Sequence, residues 1–266
     1  MSLVIRELER LERRIVGAFR CVDATTRVTV DVPLQVEVAD ARIQRNRSGI
    51  FVILAADALP AFTDSFPTQP AAGAVSLTAT IRDPSGRYLP RVASLALPRD
   101  PSPLHAANGD SLFRPIEVEM HPAGVAPLGV NWSVLRVNVT ADGSGDALGG
   151  ALLRVLGGGK VLARGMTDWR GEALVPVPGV PVTTWSDDEN VVVITEIAAQ
   201  LELVFDPAAG VRTTAANVLA ARAPAVMPLV NPDVLEANRA ALPNAAQSVQ
   251  LAAGRSQSIS FLLALP

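Results

Sequence analysis

Cysteine, histidine and aromatic residues are scarce in this chain. Its 266 residues include one cysteine, two histidines and only 4% aromatic residues. A single cysteine, Cys21, excludes an intrachain disulfide, and these counts cannot supply the usual zinc site of soft ligands. Lys plus Arg number 23 against 26 Asp plus Glu, so the chain lacks the basic surface that non-specific nucleic-acid binding requires. We therefore expect no zinc site and no nucleic-acid partner.

Long apolar runs are missing as well. No stretch of 18 or more uncharged apolar residues occurs, so no membrane-spanning helix is expected. The N-terminus alternates charges too densely for a signal peptide, which predicts a cytoplasmic protein, assembled into a particle that lysis or a non-classical route can release. Hydrophobic residues still make up 49% of the chain, enough for packed cores, and the length suits two domains.

The N-terminal segment 1–17 has helical periodicity. Val4, Leu8, Leu11 and Ile15 recur at helical spacing, with Arg and Glu on the opposite face, which predicts a short amphipathic helix. Such a helix either covers one end of its own domain or docks onto a partner or symmetry mate. These four apolar residues are the candidate partner contacts.

After this segment the hydrophobic pattern changes to a period of two. The alternating segment 27–38, the buried run 49–54 and the segment 75–82 predict β-strands. The next four residues run from Asp83 through Pro and Ser to Gly86, and they have the preferred chemistry of a type I turn. Short strands separated by turns of this kind are typical of a β-sandwich.

The sequence predicts an all-β fold of two β-sandwiches, immunoglobulin-like or transthyretin-like, over residues 18–125 and 130–266. The segment 121–129 is rich in Pro and Gly and is predicted to link them. An Ala- and Pro-rich stretch at about 207–253 departs from the strand pattern. We interpret it as a partly helical insertion in the second sandwich, and insertions of this length often carry function.

Two turns in the second half carry a family resemblance. The stretch 147–151 enters a strand, and the stretch 165–171 joins two later strands. They resemble the G-x-P-L-x-G-A and T-D-x-x-G turns of the transthyretin-like, carboxypeptidase regulatory-like β-sandwich, although Ala147 stands where that family often has proline. The resemblance implies a scaffold, spacer or adhesion domain without catalytic activity. The matching turn residues are Gly149, Gly150, Ala151, Thr167, Asp168 and Gly171.

Two segments of the first half, 46–53 and 83–91, resemble those of accessory proteins of contractile injection systems and phage-tail-like particles. This resemblance implies a non-enzymatic structural protein that contacts other protein subunits of a larger assembly, with a homo-oligomer left open. The alternative is a carbohydrate- or protein-binding adhesion module that uses loops at one end of the second sandwich.

Residues 109–112 spell Gly-Asp-Ser-Leu, the nucleophile motif of the GDSL esterases. A serine nucleophile at Ser111 needs a histidine base, and that family carries its histidine near the C-terminus. Here the only histidines are His105 and His121. We therefore interpret the motif as a turn and expect no enzyme, with a GDSL-type hydrolase as the third alternative.

Other chemical motifs are weak, and no cofactor is expected. The run 157–160 ends in Lys but is followed by Val rather than Ser or Thr, so it is interpreted as a hairpin turn and not a phosphate loop. The acidic stretch 187–190 can bind Ca²⁺ weakly but is interpreted as a solvated loop. Trp132, Trp169 and Trp185 are predicted core or sheet-face residues, with an exposed binding platform as the alternative.

Overall fold

The computed structural model describes residues 15–60, 71–182, 184–185, 192–193 and 196–265. Strands dominate the regular structure of the described residues and only two short α-helices occur among them, which confirms the predicted all-β sandwich fold. Residues 1–14 of the predicted N-terminal helix and the acidic stretch 187–190 lie outside the described residues. The last three residues of that predicted helix are not helical, since 15–16 are irregular and Gly17 begins a strand. No helix in the described part of the chain is long and apolar enough to cross a bilayer.

The strands in chain order are β1 (Gly17–Asp23), β2 (Gln35–Val38), β3 (Ala41–Arg45), β4 (Ile50–Ala56), β5 (Val75–Arg82), β6 (Arg91–Leu97), β7 (Ile116–Met120), β8 (Ser133–Ala141), β9 (Ala147–Gly149), β10 (Leu152–Gly157), β11 (Lys160–Met166), β12 (Glu172–Val177), β13 (Thr184–Trp185), β14 (Val192–Val193), β15 (Ile197–Val204), β16 (Val211–Thr213), β17 (Asn244–Leu251) and β18 (Ser256–Leu263). The two helices are α1 (Ala215–Leu219) and α2 (Pro232–Ala237), and a single 3₁₀ turn covers Pro103–His105.

The described residues divide into two compact units. The first takes the residues up to Arg20, Val38–Leu77 and Leu95–Ile116, and the second takes Cys21–Glu37, Thr78–Ser94 and everything from Glu117 onward. The first half of the chain thus contributes to both units. The predicted domains follow one another along the chain, and their boundaries stay a prediction.

The strands of the first half form a sheet of order β3-β4-β1-β7 and a smaller sheet of order β2-β5-β6. Alternation explains β5, in which Leu77, Ala79 and Ile81 are buried and the residues between them are more exposed. Phe19 of β1 stacks on Phe51 of β4 with ring centroids 5.1 Å apart. Aromatic pairs of this kind stabilise neighbouring strands.

Most strands of the second half form two sheets around one core, and β13 pairs with β14 in a separate two-stranded sheet. One sheet has the order β11-β10-β15-β17, and the other joins β12, β8, β9 and β16, with β18 beside β8. Strand β18 runs parallel to β8, with Ser256 opposite Val134. Buried side chains from both sheets, among them Leu135, Leu201 and Phe261, pack into a single hydrophobic cluster. This sandwich is the framework on which the turns and grooves below are placed.

Two predicted elements differ from the structure. Of the segment 27–38 only β2 is a strand. Arg27 has a φ of +63°, which a strand does not allow, and Thr29 forms an isolated bridge rather than a ladder. The predicted linker 121–129 begins in the core, since His121 is buried and its carbonyl accepts the Leu89 N–H at 2.9 Å. Long-range pairing overrides the local Pro and Gly signals there.

The stretch 207–253 is partly helical, as α1 and α2 both lie within it. Its last part is not an insertion of helical character, because Asn244–Leu251 forms β17 and pairs along its whole length with β15. The Ala-rich composition of this strand concealed its strand character, since Ala favours helices. Asn231 caps α2 by accepting the Asp233 N–H at 3.1 Å, and Pro232 occupies its first turn.

Candidate functional site

The turn after β5 is organised by one carboxylate. Asp83 Oδ1 accepts the Ser85 N–H at 2.8 Å, and Asp83 Oδ2 accepts the N–H groups of Arg87 and Tyr88 at 2.9 and 3.0 Å. The Gly86 N–H donates to the Asp83 carbonyl at 3.1 Å, which closes the turn. Asp83 therefore fixes the backbone that presents Arg87 and Tyr88.

The two turns that carry the family resemblance are joined by hydrogen bonds. The Thr167 hydroxyl donates to the Leu148 carbonyl at 2.7 Å and accepts the Ala151 N–H at 2.8 Å. The Gly150 N–H donates to the Thr167 carbonyl at 3.0 Å. Thr167 is buried, so each of these bonds lies away from water, where an unpaired partner is costly. One side chain thus locks the stretch 147–151 against the stretch 167–171.

The same turns leave no room for a side chain at two glycines. Gly171 has a φ of +73°, and a Cβ there would lie 2.4 Å from the Val139 carbonyl oxygen. A Cβ on Gly149 would lie 2.8 Å from the Asp168 carbonyl oxygen. Asp168 itself accepts the Glu172 N–H at 3.1 Å through its carboxylate. These residues have a structural part to play in the sandwich and do not line a cavity.

A groove of about 440 Å³ lies in the second unit, and we call it the Trp132 groove. Its size falls in the range of ligand sites. Four parts of the chain form its walls: the turn 23–31, the residues that follow Gly86, the loop 122–132, and Pro176 of β12. Its lining residues are Asp23, Thr25, Thr26, Val28, Thr29, Asp31, Arg87, Tyr88, Pro122, Ala126, Pro127, Leu128, Gly129, Trp132 and Pro176.

One wall of the groove is held by a buried phenol. The Tyr88 hydroxyl donates to Asp23 Oδ2 at 2.9 Å, and burial together with this bond raises the pKa of Tyr88. Arg87 lies with its guanidinium carbon 5.8 Å from the centre of the Tyr88 ring and 3.5 Å, through Nη1, from Asp31. The Asp31 side chain is 83% exposed. Asp23 and Tyr88 shape the wall, whereas Asp31 and Arg87 face solvent.

Exposed apolar side chains lie in the groove wall and along its loop 122–132. Val28, Val125, Leu128 and Val130 are 64%, 77%, 41% and 88% exposed, and we call these four the apolar rim. The Trp132 indole packs closely against Gly129 of the same loop, where a Cβ would lie 2.3 Å from an indole carbon. Clustered exposed apolar residues mark interaction surfaces. The sequence analysis singled out Trp132 but had no signal that would group it with this rim.

The groove also carries polar groups with free hydrogen-bonding capacity. In the described part of the chain, the Trp132 indole N–H and the hydroxyls of Thr25 and Thr29 have no hydrogen-bond partner. An indole N–H is a donor only, whereas a hydroxyl both donates and accepts. The groove can therefore bind a ligand or a chain segment through apolar contact and a few directional bonds.

A charged cluster fastens α2 to the sandwich, and we call it the α2 clamp. Glu236 accepts Arg154 Nε at 3.0 Å and Arg164 Nε at 2.9 Å, and Arg154 Nη1 also donates to Glu202 at 2.6 Å. Burial alone would raise the pKa of Glu236, but the bonds and charges of the two arginines outweigh it and lower the pKa. The sequence analysis predicted helical character in this stretch but did not identify these arginine partners.

The clamp continues to a second carboxylate and a histidine. Arg91, almost fully buried, donates to Asp233 of α2 at 2.5 Å and to the Glu119 carbonyl at 2.6 Å. His121 is buried beside it, and neither of its ring nitrogens has a partner among the described residues. Burial, followed by the charges of Arg91 and Arg164, lowers the pKa of His121 to about 3. The ring is therefore neutral at physiological pH.

The loop that holds the Gly-Asp-Ser-Leu motif has a structural arrangement. Ser111 is fully buried, and its hydroxyl accepts the Phe113 N–H at 3.3 Å. His105 pairs with Asp100 through Nδ1 at 2.6 Å, and no hydrogen bond joins His105 to Ser111 within the described residues. Arg99 donates to three loop carbonyls, including that of Ser111. Asp100 and His105 are brought near Ser111 in the loop, but the hydroxyl faces away from solvent.

The remaining sequence motifs are placed as follows. Lys160 begins β11 directly after a tight turn, opposite Gly157 of β10. Within the described ranges no group of three or more His, Cys, Asp or Glu side chains can hold a metal ion. Cys21 is buried and Trp169 is half-buried, while the side chain of Trp185 lies outside the described part. Ile15 is the one candidate partner contact that is described, and it is half-buried.

No family model and no curated protein matches the chain. Among solved structures the chain is similar to the Bacillus anthracis TIE protein, with 12% sequence identity and a TM-score of 0.24. The match covers 94% of this chain and 34% of that chain, so this chain spans about a third of that protein's length. A likeness of this degree carries no argument about function, and the transthyretin-like resemblance stays a prediction.

Proposed function

We propose that this chain is a non-enzymatic structural protein that acts through protein–protein contacts in a larger assembly. The observation that supports this proposal is the apolar rim, because Val125 and Val130 are the most exposed of its members and lie in one loop. A partner that covers water-exposed valines lowers the free energy of the system, and such patches are typical of protein interfaces. The specific assembly proposed is a contractile injection system or a phage-tail-like particle, formed in the cytoplasm.

The interior of the second unit supports a role as a rigid block. The α2 clamp joins a short helix to three strand arginines, and Thr167 joins two turns. A surface held by such a framework loses little conformational entropy on binding. The hydrogen bonds between the two turn motifs also support a carboxypeptidase regulatory-like, transthyretin-like second sandwich, which serves as a scaffold.

The test is native co-purification with the sheath and tube proteins of the proposed assembly. We expect the wild-type protein to bring them down, and a Val125→Asp, Val130→Asp double variant to lose them. Leu219→Asp is the matched control, because Leu219 is 89% exposed but belongs to α1 and not to the rim. A wild-type monomer that captures none of these proteins would contradict the proposal.

A second candidate function is a carbohydrate-binding adhesion module. It is favoured by the free hydroxyls of Thr25 and Thr29 and by the Trp132 indole, which together suit a sugar ring and its hydroxyls. Calorimetry with a set of soluble oligosaccharides tests it. Binding that Trp132→Ala abolishes and that the Val125→Asp, Val130→Asp variant keeps would favour this candidate over the first.

A further inference from the structure

An irregular segment of the second unit exposes apolar side chains and a basic residue. Residues 221–231 form neither helix nor strand, and Val226 and Met227 in this segment are 72% and 44% exposed. Pro224 and Pro228 restrict the residues before them to extended conformations. Arg222 is exposed at its start. The segment therefore has the properties of a peptide ligand that is ordered before it binds.

This segment and the Trp132 groove lie against the same turn, residues 83–88. Asp83, Pro84 and Pro90 line the surface beside residues 225–229, whereas Arg87 and Tyr88 line the groove. The Asp83 carboxylate holds the N–H groups of Arg87 and Tyr88, so one turn supports both surfaces. All of these residues belong to the second unit. The groove and the segment are therefore neighbours on a shared element.

The groove and the segment are complementary. The groove contributes Asp23, Asp31 and one arginine, and the Asp31 side chain is 83% exposed although Arg87 pairs with it at 3.5 Å. The segment contributes Arg222 and has no acidic residue. Grooves lined by Trp, Tyr and Pro bind proline-containing segments, and a free indole N–H, such as that of Trp132, can donate to a backbone carbonyl of the bound segment. Val226 and Met227 would cover the apolar rim.

We propose that two copies of this chain associate about a two-fold axis, with residues 222–227 of each copy in the Trp132 groove of the other. A groove and a ligand segment that are neighbours on one surface can engage reciprocally, and two-fold dimers are the commonest homo-oligomers. This inference rests on the proposed function and makes it more specific, because it identifies a second copy of the chain as the partner that binds this groove and rim.

The first test measures molar mass by light scattering after gel filtration, over a range of concentrations. We expect the wild type to be a dimer, and Trp132→Ala and Met227→Asp to be monomers with unchanged circular dichroism. An equal mixture of the two variants forms a heterodimer, because one intact groove meets one intact segment. Leu219→Asp, exposed but outside both surfaces, remains a dimer.

A charge exchange provides a second test that does not disturb packing. Asp31→Arg and Arg222→Asp should each weaken the dimer about tenfold, and the double variant should recover most of that loss. Both side chains are exposed, so each variant is expected to fold. No recovery in the double variant would overturn the assignment of this pair.

Several outcomes overturn the inference. The first is a wild type that stays monomeric, and the second is an equal mixture of the two variants that stays monomeric. The third is an oligomer of more than two copies. A monomer whose groove binds an unrelated proline-containing peptide would also overturn it. If the monomer still brings down sheath and tube proteins, the proposed function stands and only the dimer is lost.

Discussion

His121 gives a direct test of the charged cluster around α2, because the fold encloses it as a neutral ring. Burial first, and the charges of Arg91 and Arg164 second, lower its pKa from 6.5 to about 3. The unfolded chain takes up a proton at this histidine as the pH falls below 6.5, and the folded chain does not until the pH approaches 3. Protons bound only by the unfolded state reduce the stability of the folded state.

The magnitude follows from the width of this window. Above pH 6.5 both states are neutral at His121, so the histidine has no effect on the pH dependence of stability there. Below it the unfolding free energy falls by about 1.4 kcal/mol per pH unit. Two units of acidification, to about pH 4.5, should therefore cost the wild type about 2.7 kcal/mol at this position alone.

The measurement is urea unfolding followed by tryptophan fluorescence, at pH steps between about 7.5 and 4.5. His121→Leu cannot be protonated and should keep the stability that the wild type loses on acidification. His121→Gln serves as a second variant, in case the leucine repacks the core. His105→Gln is the matched control, because His105 is the other histidine of the chain and its side chain is 53% exposed.

The decisive quantity is the difference between variant and wild type at each pH, since carboxylates titrate in all of these proteins. That difference should grow on acidification for both His121 variants and much less for the His105 control. Parallel stability curves for wild type and His121→Leu would show that His121 is protonated as easily in the folded chain as in the unfolded chain. The argument from burial beside two arginines would then be wrong.

Three further substitutions test the turns and the clamp by the same unfolding assay. Thr167→Ala removes the hydroxyl that joins the two turns and should lower the unfolding free energy by about 2–3 kcal/mol. Thr167→Ser retains a hydroxyl and should keep most of that stability. Equal losses in the two variants would contradict this role. Gly171→Ala should lower the unfolding free energy by about 2 kcal/mol more than Gly179→Ala does. Both glycines have a positive φ, but of these two only Gly171 would bring an added Cβ against backbone atoms. Equal losses would contradict the steric argument. Glu236→Gln should lower the unfolding free energy by about 2–3 kcal/mol. Glu196→Gln, in an exposed ion pair, should lower it by less than about 1 kcal/mol. An unchanged stability in Glu236→Gln would mean that the clamp contributes nothing.

The sequence predicts those parts of the fold that depend on local chemistry. Strand β5 is recognisable because apolar residues alternate along it, and the turn at Asp83 because a carboxylate, a proline and a glycine stand at the right positions. The alternation over 27–38 is equally regular, but Arg27 adopts a φ of +63° and most of the segment does not pair as a strand. Alternation indicates which residues can form a strand, and tertiary pairing decides which of them do.

The candidate sites could not be predicted in this way, because their residues meet only through the fold. Arg154 and Glu236 are 82 residues apart in the chain, and Arg91 and Asp233 are 142 residues apart. The groove likewise unites the turn at Asp23 with the loop at Trp132. A single sequence has no pattern that shows which of its distant residues come together, whereas all the interacting residues of a turn motif are adjacent in the chain.

The cost of the clamp shows which of these long-range contacts deserve a functional interpretation. Buried ion pairs are weak sources of stability, because desolvation offsets much of their attraction. A chain that needed only to attach α2 could do so with apolar side chains, yet Arg154 and Arg91 are both almost fully buried and both end on α2 carboxylates. Directional charge pairs fix the register of a short helix more narrowly than apolar packing does. That requirement fits a helix that holds residues 222–227, which precede it in the chain, at a defined place.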